Sequence, residues 1–579
     1  MLLQQTKYSI ITIALLLIAF ACTPEKVPAG EGVGNDDPQT EQPLPETPKG
    51  NLVGTVTNAV TGEPIQGVPV TDGYIYAVTD ENGNYFLQGN ALSRTVYLSV
   101  PAEYEIPMDE NGHPAFYING DFSDTEITVP NDFKLTPRQK VENTFIIASA
   151  ADIHIYDQKD LKKFTDRSLP NMIESIEDYS DATYKECIAV LGGDQLSDNL
   201  EILPSFKQSL ANKKIAGKNL TFLHCIGNHD FDADYVLDNG LTPDSYNASK
   251  TFVENFGPTD YSVNIGNAHI VVMNNMIVKG TGTTRYGQVR CVEIDRGFTD
   301  QQLKWLKSDL ELVKSPTEKV VILCVHVPIM NNTSKNFVAV KQLLTKFNEA
   351  HVISGHTHRI KNLKLDKSCA SGNQIYEHNI QMMGGIWWNS NLSVDGSPAG
   401  FSLMKFNGKR LYESVNQATG ADRNYQIRVY NGNDSYNGFT KGSGVILPNH
   451  NTTFEWPQSC KGKFIARVWN ADADNWKVEF VHEGKSKPMT RLSGQADECT
   501  YSYSYNILNN IYGSEGTYHT ASDDMWVIDA PGGEPSAVIG WKIVATHKTS
   551  AVRTLTYESS VLQRDYSGFA YGDSFVVNN

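Results

Sequence analysis

Hydrophobic and polar positions change their periodicity several times along the chain, and each change predicts a different kind of element. Near the start, Lys7 precedes a mostly apolar run from Ile10 to Phe20 that ends at Ala21-Cys22. Such a run is too short to cross roughly 30 Å of hydrocarbon as a helix, and small residues at Ala19 and Ala21 suit a cleaved signal peptide over 1–21. From Thr23 to Gly50 the chain is rich in Pro, Gly, Glu and Asp and nearly lacks large apolar residues, so 22–50 is expected to be a flexible tether. Between Asn51 and about Thr136, short alternating runs separated by turn residues predict a β domain over 51–137. Asn82-Gly83, between Val78 and Phe86, predicts a hairpin because both turn positions can take positive φ.

From Val141 the pattern becomes apolar strands alternating with helical stretches, the grammar of a layered α/β unit assigned to 138–418. Strands are expected at Phe145 to Ala148, Ile188 to Leu191, Phe222 to Ile226, Val320 to Val325 and Val352 to Ser354. A helix is expected from Thr299 to Val313, opened by the capping box of Thr299 and Gln302. After about Thr419 strands and turns return, with Trp456, Trp469, Trp476, Trp526 and Trp541 spread through a β-rich region over 419–579. A length of 579 residues exceeds what one core supports, which agrees with several domains.

Composition removes some functional classes. The hydrophobic fraction of 40% and charged fraction of 20% fit folded protein and exclude a disordered chain or a multi-span membrane protein. A net charge of −17, without a basic stripe interleaved with aromatics, excludes nucleic acid as a partner, and oligomeric state is left open. Apart from Cys22, cysteines stand at 187, 225, 291, 324, 369, 460 and 499 with no CxxC pair, which fits neither a disulfide scaffold nor a zinc ribbon. Cys187, Cys225 and Cys324 lie in apolar runs and read as small buried hydrophobes.

The chemistry gathers after the predicted strands of the α/β unit. Five strand ends carry Asp152-Ile-His154, Gly193-Asp194, Gly227-Asn228-His229-Asp230, His326-Val-Pro328 and Gly355-His356-Thr-His358. Loops held by a rigid sheet are where functional groups concentrate. Two divalent ions need about four donors each, and imidazole with carboxylate suits zinc, iron or manganese. If these segments are extended, residues i and i+2 point to one side, so Asp152 with His154 and His356 with His358 share a pocket. The neighbouring glycines permit tight turns and close backbone approach. His113, His224, His269, His378, His450, His482, His519 and His547 are read as packed or solvated, His351 as a strand-entry residue, and Arg359 with Lys361 as a solvated face.

The order D-x-H, GD, GNHD, H-x-P and GHTH resembles the calcineurin-like metallophosphoesterase superfamily. The resemblance implies a multidomain α+β chain with a central αββα sandwich. Asp152, His154 and His358 would hold one metal, Asn228, His326 and His356 the other, and Asp194 would bridge them. His229 would protonate the leaving group, oriented by Asp230. The string TGEPIQGVPVTDG followed by TDENGNYFL resembles a transthyretin-like β-sandwich, and Ala19-Phe20-Ala21-Cys22 resembles the lipobox of bacterial lipoproteins. The latter implies a lipid on Cys22 and a membrane-anchored chain facing the periplasm or the cell exterior.

Departures from the family patterns narrow the reading. Ser197 stands where purple acid phosphatases place a tyrosine, which argues against a tyrosinate-iron centre. The segment Gly193 to Asn199 lacks the GDxxDRG of protein serine/threonine phosphatases, and its acidic residue, Asp198, stands one place late and is not counted as a ligand. The segment Gly385 to Asn389 is similar to one in exported members, which makes Trp387 and Trp388 candidate walls of a substrate cleft. Adjacent residues of a strand face opposite ways, so only one of the two is expected to meet a ligand. Tyr501, Tyr503 and Tyr505 are read as a core face. The expected function is hydrolysis of a phosphate monoester or diester by a water activated between two divalent metal ions. The alternative is a surface glycan- or ligand-binding protein on the same fold, against which the intact ligand set argues.

Overall fold

Apolar runs in the middle of the chain build two sheets whose strand ends meet. A computed structural model describes residues 51–283, 289–437, 453–472, 474–492, 494–496, 521–548 and 554–563. The leader, the tether with Cys22, His450, Cys499, His519 and Tyr501, Tyr503 and Tyr505 lie outside the described residues. The first sheet contains β1 (Thr144–Ala150), β2 (Glu186–Gly192) and β3 (Thr221–Cys225). The second contains β4 (Tyr261–Ile265) and β5 (Ala268–Val272). A separate hairpin, β6 (Met276–Thr283) with β7 (Arg290–Arg296), follows. Then come β8 (Val320–Cys324), β9 (Glu349–Ser354), β10 (Lys361–Ser368) and β11 (Gln374–Asn379) of the second sheet. Finally β12 (Gly400–Asn407) and β13 (Arg410–Ala418) complete the first. Spatial order is β3-β2-β1-β12-β13 in one sheet and β4-β5-β8-β9-β11-β10 in the other.

Strands β1, β2 and β3 run parallel, as do β5, β8 and β9, so their C-terminal ends open on a common side of each sheet. Parallel strands buried on both faces read as continuous apolar runs, and this is what the sequence shows. Phe145 and Ile147 of β1 share a cluster with Ile270, Ile322 and Val352 of the second sheet. Ile146 and Ala148 face the other way and pack with Met172 and Ile176 of helix α1 (Leu169–Tyr179). Helix α2 (Asp300–Leu312) starts at Thr299, whose capping box with Gln302 forms as expected, and buries Trp305, Leu306 and Leu310. Cys225 and Cys324 are buried, but Cys187 is only half-buried.

In the N-terminal β region, Asn51–Asn58 pairs with Asn84–Gln88, Thr128–Pro130 and Phe133–Leu135, and a second sheet holds Pro69–Thr71, Tyr76–Val78, Thr95–Leu98 and Tyr117–Asn119. The turn at Asn82-Gly83 exists, but the expected hairpin does not. Tyr76–Val78 pairs with Pro69–Thr71, whereas Asn84–Gln88 pairs with Asn51–Thr55. The cause is local: Asp80 Oδ1 accepts from the N–H groups of Asn82 and Asn84, and only Gly83 takes positive φ, so the turn is a corner between sheets. Leu52 through Leu135 share a hydrophobic cluster with the second central sheet, and Ser99 meets Ser262 at 2.7 Å.

The C-terminal β region has one sheet of Ile427–Asn431, Lys463–Val468, Met525–Asp529 and Thr490–Leu492, and another of Lys485–Pro488, Trp476–His482, Trp541–Lys548 and Thr554–Ser559. Its five tryptophans are buried. The multidomain α+β expectation holds, with a two-sheet core between two β-rich regions. Among the described residues no helix is long and apolar enough to cross a membrane.

Candidate metal centre

Five loops at the C-terminal ends of β1, β2, β3, β8 and β9 carry the polar motifs. Asp152 and His154 follow β1, Asp194 follows β2, Asn228 and His229 follow β3, His326 follows β8, and His356 and His358 follow β9. Two groups of donor atoms converge, one from Asp152, His154, Asp194 and His358, the other from Asp194, His326 and His356. Asp194 belongs to both. His154 Nε2 lies 3.0 Å from His358 Nε2 and 3.7 Å from Asp194 Oδ2. His358 Nε2 is 3.3 Å from Asp152 Oδ1, His326 Nε2 is 3.1 Å from Asp194 Oδ2, and His356 Nδ1 is 3.3 Å from His326 Nε2.

The backbone achieves this differently from the expected extended segments. Asp152, His154, Asp194, His356 and His358 all take positive φ, between 48° and 66°. Each left-handed non-glycine residue costs about 1–3 kcal/mol and persists only where surrounding structure fixes it. That surround is visible: the His356 N–H donates to both Asp152 oxygens (3.1 and 2.9 Å), and the His229 N–H donates to Asp194 Oδ1 (2.9 Å). His326 Nδ1 donates to the Gly192 carbonyl at 2.9 Å, so Nε2 is the nitrogen offered to the cluster. The neighbouring glycines are sterically required. A Cβ on Gly227 would lie 2.0 Å from the Asp194 amide nitrogen, and one on Gly193 2.4 Å from His326 Nδ1.

The charges suit a cation. Burial pushes His154 and His356 down to about 3, which leaves both imidazoles with a free lone pair. Burial also raises Asp194, but the imidazoles of His326, His229 and His154 outweigh it and hold that carboxyl well below its ordinary range. His326 is raised to about 9: burial opposes its charge, and Asp194 with Asp152 prevail. The carboxylates thus draw a proton onto an imidazole in the protein alone, where a divalent ion would serve as counter-charge. Asn228 Oδ1 is buried and has no hydrogen-bond partner among the described residues, an arrangement that ordinarily costs about 1–3 kcal/mol and that a metal ion would relieve. The residues therefore fit divalent metal.

His229 stands at the rim, its side chain 31% exposed where those of His154 and His326 are 0%. Its orienting partner is Asp198, with Nδ1 to Oδ2 at 2.6 Å, and the expectation for Asp230 is corrected. Asp230 turns inward instead, accepting from the Leu196 and Gly227 N–H groups at 2.8 Å each and closing the turn Asn228–Asp230. Asp198 reaches His229 because it too has positive φ, 58°, which re-aims a side chain displaced by one position in sequence. Burial opposes a charge on His229, yet Asp194 and Asp198 raise it to about 10. Asp198→Asn is expected to lower kcat about 10²-fold with bound metal unchanged. Asp230→Asn is expected to cost stability of about 1–3 kcal/mol with kcat of the folded fraction nearly kept. Steady-state kinetics with thermal melts separates them, and the reverse pattern would restore Asp230 as the orienting group.

Trp387 and Trp388 lie in a left-handed turn, φ 44° and 59°, and not in a strand. The Trp387 ring is half-buried with its centroid 5.5 Å from that of His358 and 6.2 Å from that of His154. Trp388 is fully buried and its indole N–H donates to the His154 carbonyl at 3.2 Å. Thus Trp387 walls the site while Trp388 supports it from behind. Lys361 forms an ion pair with Asp523 at 3.4 Å. Sequence reasoning missed a cation that does face the centre, Arg296 of β7, because it sits on a hairpin without a motif.

Family models account for most of the chain. Residues 145–359 match the family described as calcineurin-like phosphoesterase, residues 50–138 its N-terminal companion and residues 377–546 its C-terminal companion. The chain belongs to the calcineurin-like phosphoesterases, in the form with both companion regions, and is a metal-dependent phosphoester hydrolase. Among solved structures it is similar to phosphopantetheinyl hydrolase from Mycobacterium tuberculosis, with 12% identity over 42% of this chain and 90% of that one, and a TM-score of 0.22. No curated protein matches the chain.

Proposed function

We propose that the chain hydrolyses a phosphate monoester or diester outside the cytoplasm at a centre of two divalent metal ions. The observation that carries this is the membership of Asp194 in both groups of convergent donors. Asp152, His154 and His358 would hold one ion, Asn228, His326 and His356 the other, with Asp194 shared. Manganese, iron and zinc all suit imidazole and carboxylate. When bound, the ions would polarise phosphoryl oxygens and activate a water. The chain's own side chains do the rest. His229, held by Asp198, carries a proton within reach of a leaving oxygen, and the Trp387 ring offers an apolar wall for the group that departs.

In this reading residues 138–418 form an αββα catalytic domain, 51–137 a transthyretin-like sandwich, and 419–579 a β-rich support. Residues 1–21 export the chain, and a lipid on Cys22 anchors it to a bacterial membrane through the tether at 22–50. An N-terminal fragment with unmodified Cys22, read by mass spectrometry of the mature protein, would remove the anchor. The catalytic part is tested by chelation, reloading with manganese, iron or zinc, elemental analysis, and turnover of p-nitrophenyl phosphate and its bis ester. The expected result is two ions per chain, activity lost on chelation, and a loss of about 10²-fold in His229→Ala with metal retained. Turnover indifferent to chelation and to His229→Ala would favour a binding protein.

A further inference from the structure

Arg296, on the hairpin beside the centre, is placed unlike the described arginines that are held in ion pairs. Arg138 pairs with Glu186, Arg290 with Asp234 and Asp238, and Arg467 with Asp395 and Asp524. Arg296 is exposed, and among the described residues no carboxylate lies within ion-pair distance of it. Its Nη2 instead lies 3.4 Å from His356 Nε2. In a chain of net charge −17, a guanidinium left free of carboxylates and directed at a metal-ligand histidine calls for an anion.

The backbone under Arg296 is fixed while its side chain is not enclosed. Arg296 pairs with Met276 at the base of the β6–β7 hairpin, the Gly297 N–H donates to the Asn275 carbonyl at 2.9 Å, and Met276 and Phe298 are buried. The tautomer of His356 matters next. Nδ1 is the nitrogen that faces His326 inside the cluster. If its lone pair is used there, the proton of the neutral ring resides on Nε2, which then cannot accept from Arg296. The guanidinium is left with its donors free at the rim, where a planar fork suits two oxygens of one phosphate.

We infer that Arg296 recognises the third free oxygen of a phosphate monoester, and so makes the site favour monoesters over diesters. A monoester presents three charge-bearing oxygens besides the leaving one, and a diester presents two. When two oxygens turn toward the metal-ligand cluster, only the monoester has one left for a cation at the rim. In the diester that position holds an esterified oxygen, which is bonded to carbon and bears no charge. The inference rests on phosphoester hydrolysis at this centre and adds the substrate class to it.

The test uses the metal-loaded full chain and its Arg296→Ala and Arg296→Lys variants, with Lys279→Ala as a charge control on the same hairpin. Inorganic phosphate binding is measured by calorimetry, KM and kcat on p-nitrophenyl phosphate and its bis ester, and metal content by elemental analysis. Loss of one charge-assisted contact corresponds to roughly 10- to 100-fold. Arg296→Ala should weaken phosphate binding and raise the monoester KM by about that factor, with diester KM changed less than about 3-fold and metal retained. Arg296→Lys should recover only part, and Lys279→Ala should behave as wild type. Equal effects on both esters, unchanged phosphate binding, or loss of metal in Arg296→Ala would each overturn the assignment. Absence of turnover on either ester in the wild type would instead count against the hydrolase reading, while the calorimetric comparison would still decide whether Arg296 binds phosphate.

Discussion

Asp194→Asn is expected to reduce kcat/KM by at least about 10³-fold and to lower the bound metal from two ions per chain. Asparagine keeps the shape of the side chain, so the loss isolates charge. The wild-type carboxylate sits between His326 Nε2 at 3.1 Å and the His229 N–H at 2.9 Å, with His154 Nε2 at 3.7 Å. An amide there is neutral and turns one donor toward groups that also donate. A separate readout exists in metal-free protein. His326 stands at about 9 against burial chiefly because of Asp194. Without that carboxylate, burial is less opposed and the imidazole should titrate lower, as followed by NMR. Near-normal turnover with two ions bound in Asp194→Asn would sink the idea that this residue is shared.

Much of this centre was legible because parallel strands announce themselves. Apolar runs such as Ile188 to Leu191 and Val320 to Val325 are buried on both faces, and each ends where a polar motif begins. The capping box at Thr299 was legible because both partners lie within one turn. Misreadings begin where the chain leaves regular structure. The two-residue rule for side-chain direction holds in extended backbone, but Asp152, His154, His356 and His358 are left-handed, and convergence there comes from turns. On sequence alone the partner of His229 is Asp230, the next residue along the chain, and Asp198 is given no role. The choice is made instead by a contact 31 positions away and by two N–H groups that claim Asp230. Trp387 faces the centre and Trp388 lies behind it through a turn whose backbone no periodicity marks, and not through the alternation of a strand. Arg296 is the clearest limit, since its meaning lies only in what the hairpin base brings near it.

Arg467→Ala is expected to destabilise the fold by about 3–5 kcal/mol, the usual cost of stripping one partner from a buried ion cluster. Arg467, in the C-terminal strand Lys463–Val468, is fully buried. Its Nε lies 3.0 and 3.2 Å from the Asp524 oxygens and Nη2 2.7 Å from Asp395 Oδ2, while Nη1 donates to the Asp395 carbonyl. Asp395 in turn accepts from the Ile360 N–H at 3.2 Å, and the Val394 N–H donates to the His358 carbonyl at 3.2 Å. The C-terminal region therefore grips the loop that backs His358, two residues from Ile360. Burial raises Asp524 to about 6 even with Arg467 beside it. Removing the cation should raise it further above its unfolded value near 3.9, so that the folded state increasingly favours the protonated form. The stability deficit of the variant should then be largest above its own folded pKa, narrow as pH falls toward the wild-type value of about 6, and level off below it. Thermal melts of both proteins across pH 4 to 8 check the sign, and a deficit that stays constant or widens on acidification would show that Arg467 acts by packing alone. Combining Arg467→Met with Asp395→Asn and Asp524→Asn should restore much of the stability, because no charge is then buried unpaired. If the grip on the loop also positions His358, that triple variant should remain deficient in metal although it is folded.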